Sequence, residues 1–177
     1  RQVRACESRC FGPAWHVENN LVAFADDSAL WLYNIAADAP ERLLENQGFE
    51  MGMDVSDVSV YTPDVWASNG RYLMVHHGRW EGRSSAILDL PTGSIAEVPE
   101  SFVYASIFPT EVSWMPDDRL LVWRTELSDN VTIPIVELWR FDLGSSELVL
   151  EESAQLSEER LGVLGGRYLE YGCCAFA

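Results

Sequence analysis

Trp66-Ala67-Ser68-Asn69-Gly70-Arg71-Tyr72-Leu73 and Trp114-Met115-Pro116-Asp117-Asp118-Arg119-Leu120-Leu121 share an opening tryptophan, a polar centre, an arginine and a closing leucine. Two further octets follow the same plan. One is Trp15-His16-Val17-Glu18-Asn19-Asn20-Leu21-Val22; the other, Gly162-Val163-Leu164-Gly165-Gly166-Arg167-Tyr168-Leu169, lacks the tryptophan. The octets start 51, 48 and 48 residues apart, and Arg71, Arg119 and Arg167 fall in register. A period of this length marks a supersecondary unit that buries its apolar faces against its neighbours. The fifth octet position is Asn19, Gly70, Asp118 and Gly166. These residue types adopt left-handed backbone, so a tight hairpin turn is expected at each, with the four in one structural position.

Each turn leads into a near-continuous apolar run, at residues 21–25, 72–75 and 120–123. Unbroken rather than alternating hydrophobicity predicts strands covered on both faces. A further strand is expected at 29–35, 85–90 and 135–143, two of them followed by the turn residues Pro91-Thr92-Gly93 and Gly144-Ser145-Ser146. A more polar strand at 41–44, 95–98 and 147–150 suits an outer edge. The segment entering each tryptophan supplies the fourth. Four strands per repeat describe a propeller blade, slightly longer than the ~40–45 residues usual for one. A β-sandwich explains the strands but not the octets in register. The expected fold class is therefore all-β, a β-propeller of four-stranded blades with about three complete blades plus a partial fourth. Its divisions are an N-terminal segment at 1–14 able to close as a strand, blades at 15–65, 66–113 and 114–161, and the partial blade at 162–177. Residues 153–161 are expected to form a short helical connector.

The 177 residues are 47% hydrophobic and 23% charged, which describes a folded core. All 12 basic residues are arginine, against 28 acidic ones, and the net charge is -16. That balance disfavours nucleic acid and anionic membranes as partners. No apolar run approaches the ~20 residues of a membrane span, so membrane insertion is not expected. The absence of lysine reads as a genome bias or an adaptation to salt. The chain opens at Arg1 without a charged-then-apolar leader, as expected of a processed, trimmed or truncated chain.

The four cysteines sit near the ends: Cys6, Cys10, Cys173 and Cys174. Vicinal cysteines bond each other poorly, so the simplest oxidised pattern pairs Cys173 and Cys174 with Cys6 and Cys10. Free, buried thiols are the open alternative. A thiolate metal site lacks its C-x₂-C spacing. Asn130-Val131-Thr132 is a glycosylation sequon, which makes Asn130 a candidate acceptor. Together these features lean towards an extracellular or periplasmic protein.

The octets resemble the Trp-Ser-Pro-Asp-Gly-Arg-x-Leu signature of TolB-type, WD40-like β-propeller repeats, most closely at Met115 to Arg119 and Ser68 to Arg71. The Gly-His and Trp-Asp dipeptides of WD40 blades are absent. The resemblance runs from Trp15 to about Leu169. It implies a function among those of its relatives: protein-binding scaffolds of the bacterial envelope, gating propellers of prolyl-oligopeptidase-like serine peptidases, and metal-dependent lyases. Fold alone does not select among these.

No residue is assigned a catalytic, cofactor-binding or metal-binding role. The G-x-S-x-G nucleophile elbow is missing. His76 and His77 are adjacent, and adjacent strand residues point to opposite faces, so with His16 they are expected to be solvent-facing or hydrogen-bonded rather than ligands. The pairs Asp26-Asp27, Asp117-Asp118 and Glu158-Glu159 match no calcium loop and read as solvated turns. Met51-Gly52-Met53 reads as a loop packing on the core. Trp15, Trp66 and Trp114 are expected to pack between neighbouring blades; exposed on a propeller face, they would instead be partner hot spots. The leading expectation is a non-catalytic propeller module for protein–protein interaction or structural assembly, its partner another protein or a second copy of the chain. The alternative is the propeller part of a peptidase or lyase.

Overall fold

The computed structural model describes residues 10–99, 101–104, 111–128, 131–142, 145 and 147–155. The fourth octet with Gly166, the cysteines Cys6, Cys173 and Cys174, the sequon residue Asn130 and the pair Glu158-Glu159 lie outside them. The chain is all-β, and its strands form three successive antiparallel meanders. The first sheet is β1 (Phe11–His16), β2 (Leu21–Ala25), β3 (Ala29–Asn34) and β4 (Ala39–Glu45), in that order. The second is β5 (Val60–Trp66), β6 (Tyr72–Arg79), β7 (Gly82–Asp89) and β8 (Ser94–Glu97), with β9 (Val103–Tyr104) also pairing on β7. The third is β10 (Glu111–Trp114), β11 (Leu120–Ser128), β12 (Val131–Asp142) and β13 (Glu147–Gln155). Each first strand runs into its octet, so each sheet begins several residues before its tryptophan. A single turn of 3-10 helix, Val55–Asp57, precedes the second sheet.

The sheets stack in chain order, and the apolar runs explain how. In β6, Leu73 and Val75 join the core shared with Ala23, Leu30 and Leu32 of the first sheet. Tyr72 and Met74, on the other face, join the core shared with Leu120, Val122 and Phe141 of the third. β7 divides the same way, with Ala86 and Leu88 facing one sheet and Ile87 the other. A strand alternates its side chains between faces, so a run apolar at every position belongs to a sheet packed on both sides.

Two expectations need correction. Ser153, Ala154 and Gln155 are not helical but the end of β13, paired with β12 from Ile135 to Glu137. A thin apolar edge stabilises a helix less than a long neighbouring strand whose backbone groups need partners. Met51 does not pack on the core, being 99% exposed. The backbone amide of Glu50 donates to the sulfur of Met53 instead.

Candidate functional site

The second sheet has two ends, and polar side chains gather at both. At one end lie the octet hairpins. Left-handed backbone occurs at Asn20, Gly70 and Asp118, with φ of 54°, 66° and 61°. In the first hairpin the left-handed residue thus follows Asn19 rather than being Asn19. β2 starts directly after Asn20 at Leu21, whereas Arg71 and Arg119 intervene in the later copies. Asn19 is freed to lean across the sheet boundary: a Cβ placed on Gly70 would lie 2.2 Å from its Nδ2 and 2.9 Å from Cε1 of His16. Only a glycine admits that approach.

The hairpins bond to one another in sequence. His16 Nδ1 accepts from the Asn19 amide at 3.2 Å, which leaves Nε2 to donate to the Ser68 carbonyl, also 3.2 Å away. Ser68 Oγ and Asn69 Nδ2 donate to the two oxygens of Asp118 at 2.8 and 2.9 Å. The pairing of Asp117 with Arg119 leaves Asp118 for that contact. The tryptophans follow the same rule. Trp66 Nε1 donates to the carbonyl of Ala14, the residue before Trp15, and Trp114 Nε1 donates to the carbonyl of Val65, the residue before Trp66. Trp66 is buried and Trp114 half-buried against Tyr72. Trp15 departs from the expected packing and is 62% exposed, because no earlier sheet stands against it among the described residues.

One repeated feature escaped the sequence reading. Asn34, Asp89 and Asp142 each end the third strand of their sheet and bond into the turn beyond. Asn34 accepts from the amides of Ala36 and Ala37, Asp89 from Thr92 Oγ1 at 2.8 Å, and Asp142 from Ser145 Oγ at 2.9 Å. The signal was an Asn or Asp before Ile or Leu in each repeat. Asp89 is 1% exposed and also takes Arg71 Nε and Nη2 at 2.6 and 2.9 Å. The Arg71 bonds hold its carboxyl below the ordinary value, against burial and with help from Thr92. Asp26 likewise proves buried rather than solvated, its Oδ1 taking the Ser28 amide and hydroxyl and the Ala29 amide.

At the opposite end, the β6–β7 hairpin and the turn Val55–Asp57 frame a cleft of about 760 Å³. Ser59, His77, Arg79, Trp80 and Phe102 line it. His77 Nε2 lies 2.9 Å from Ser59 Oγ, and His77 Nδ1 lies 2.6 Å from Glu97 Oε1. His77 is buried, 8% exposed, and its ring stacks on Tyr61 at 4.4 Å. Arg79 also donates to Glu97. Burial works to raise the Glu97 carboxyl, but the His77 hydrogen bond and the Arg79 charge outweigh it and hold it low. His76 points elsewhere, 3.6 Å from Asp64, and burial more than offsets that carboxylate to lower its basicity. No group of three potential metal ligands occurs among the described residues. No helix among them is long and apolar enough to cross a membrane.

No family model matches the chain, and no curated protein does. Among solved structures it is similar to TolB from Acinetobacter baumannii, at 16% identity and a TM-score of 0.48, over 84% of this chain and 33% of that one. The chain thus spans a third of that protein's length. The blade architecture rests on the strand order and register of the chain itself.

Proposed function

We propose that the chain is a β-propeller module that works by associating with another protein, and that the face of its first sheet carrying Trp15 is where the partner sits. The exposure of Trp15 carries this reading. Its two counterparts each close the gap to the preceding sheet by giving an indole N–H to a backbone carbonyl. At 62% exposure, Trp15 is an aromatic anchor of the kind that dominates interface energetics. The occupant that fits is another sheet of the same type with an open carbonyl, supplied by a second copy of the chain or by a further blade. Light scattering over a range of concentrations tests this. Concentration-dependent association that Trp15→Ala weakens at least tenfold is expected. A stable monomer at every concentration overturns it.

The same reading places the protein outside the cytoplasm. Supporting it, Cys10 is disulfide-bonded, with its partner outside the described residues. Peptide mapping without reduction should pair Cys173 and Cys174 with Cys6 and Cys10; four alkylatable thiols would sink that pairing.

A further inference from the structure

We propose that Ser59, His77 and Glu97 form a nucleophile, base and carboxylate row, and that Ser59 is acylated by small carboxylic esters entering the adjacent cleft. This goes beyond the association role and stands or falls separately from it.

The row is written across the sheet. Antiparallel register sets Tyr61 opposite His77 and Ala86 opposite Glu97, so Ser59 in its bridge to Gln47 just before β5, His77 on β6 and Glu97 on β8 fall along one line. Glu97 at Nδ1 of His77 fixes the ring proton there, which leaves Nε2 as the acceptor for the Ser59 hydroxyl, the arrangement that activates a serine. The backbone beneath is held firmly. Ser59 exchanges both backbone hydrogen bonds with Gln47, at 2.8 and 2.9 Å. The amide side chain of Asn46 clamps both backbone groups of Tyr61, at 2.7 and 3.2 Å. Positioning of this kind is what a reactive constellation requires.

The cleft supplies the rest. Its volume of about 760 Å³ suits a small organic molecule. Trp80, steadied by Phe49 at 4.7 Å between ring centres, forms an apolar wall with Phe102 and Val58. Arg79 lines the same cleft; one of its N–H groups holds Glu97, and others of the guanidinium can turn to an oxygen that gains charge. In the reaction, Ser59 Oγ bonds to the ester carbonyl carbon while its proton passes to His77 Nε2. The tetrahedral adduct then collapses, breaking the bond to the leaving alcohol, which takes the proton from His77. Water repeats the two steps on the acyl-serine and releases the carboxylic acid.

Incubating the full chain with p-nitrophenyl acetate, followed by intact-mass analysis and peptide mapping, tests this. The chain contains no lysine, which keeps background acylation low. A burst of one equivalent of p-nitrophenolate followed by slower steady release is expected, with one acetyl group on Ser59 in samples quenched in acid during the burst, and neither in the Ser59→Ala variant. As a positioning residue, Glu97 is tested by Glu97→Gln: the maximal acylation rate should fall at least tenfold at an unchanged half-saturating ester concentration. Trp15→Ala should leave acylation unaltered. Absence of the adduct from Ser59, or equal acylation of the Ser59→Ala chain, overturns the proposal. So does an unchanged rate in Glu97→Gln with the native circular dichroism retained.

Discussion

The two ends of the second sheet are built from the same four strands and differ in one respect, repetition. At the octet end, the recurring bonds have counterparts one sheet away: Trp66 onto Ala14 and Trp114 onto Val65, Asp89 onto Thr92 and Asp142 onto Ser145. At the cleft end, the row of Ser59, His77 and Glu97 occurs once among the described residues, and the corresponding end of the first sheet is closed by Asn46 bonding the Asp26 carbonyl. Repetition records what stacking needs, because each sheet must meet its neighbour in the same way. What occurs once is not demanded by stacking and is where chemistry particular to this chain resides.

The difference can be broken most forcefully at the tryptophans. Trp66 is 7% exposed inside the core between the first two sheets, so Trp66→Ala should cost about 3–5 kcal/mol. In a chain of this size that lowers the melting temperature by roughly 10 °C. Trp15→Ala, made at the equivalent octet position but on an open face, should change the stability of the isolated chain by no more than about 0.5 kcal/mol. Thermal unfolding of the two variants side by side is the measurement. Equal losses would mean that the first sheet is already covered.

A smaller effect separates conformational cost from crowding. Gly70 and Gly93 share nearly the same backbone, with φ of 66° and 69°. An alanine at Gly93 meets nothing within 4 Å, so Gly93→Ala should cost only the left-handed penalty of about 1–2 kcal/mol. At Gly70 the new methyl group collides with Asn19 and His16. Gly70→Ala should therefore cost about 1 kcal/mol more than Gly93→Ala, and Gly70→Ala/Asn19→Ala should recover part of the excess. Denaturant unfolding of the three variants measures the difference, and an excess of zero would detach the hairpins from one another.

The octets made the sheets legible because apolar runs such as residues 72–75 admit only a strand covered on both faces. They also located the left-handed turns at Gly70 and Asp118. The shift to Asn20 was hidden because Asn19 and Asn20 tolerate that conformation equally well. Trp15 read as packing because sequence equivalence shows the position of a side chain within its unit, not whether a neighbour is present. The cleft row was illegible for a different reason. Ser59 precedes β5 while His77 and Glu97 lie on β6 and β8; the three meet only through register, and a one-residue slip would turn His77 to the other face. His77 was expected to be either solvent-facing or hydrogen-bonded, and nothing in the chain order named its partners.

The last effect concerns Asp89 and carries a pH signature. Replacing its buried carboxylate in Asp89→Asn removes the charge-assisted bonds from Arg71 and should cost about 2 kcal/mol at neutral pH. Arg71 keeps a third of its side chain in solvent, which limits the gain from pairing. Asp89 is held below its ordinary value of 3.8, first by the Arg71 bonds and then by Thr92, against burial. A depressed carboxyl stabilises the fold fully above the unfolded value and loses that contribution as the pH falls through the folded one. The gap between wild type and Asp89→Asn should thus stay constant from pH 7 to about pH 5, then close as the pH drops below 3.8. Urea unfolding at a series of pH values checks it. A gap that persists or widens in acid would show that Asp89 stabilises by shape rather than charge. Ester acylation of the Asp89→Asn variant at neutral pH should match wild type, because the octet end and the cleft end share strands but not bonds.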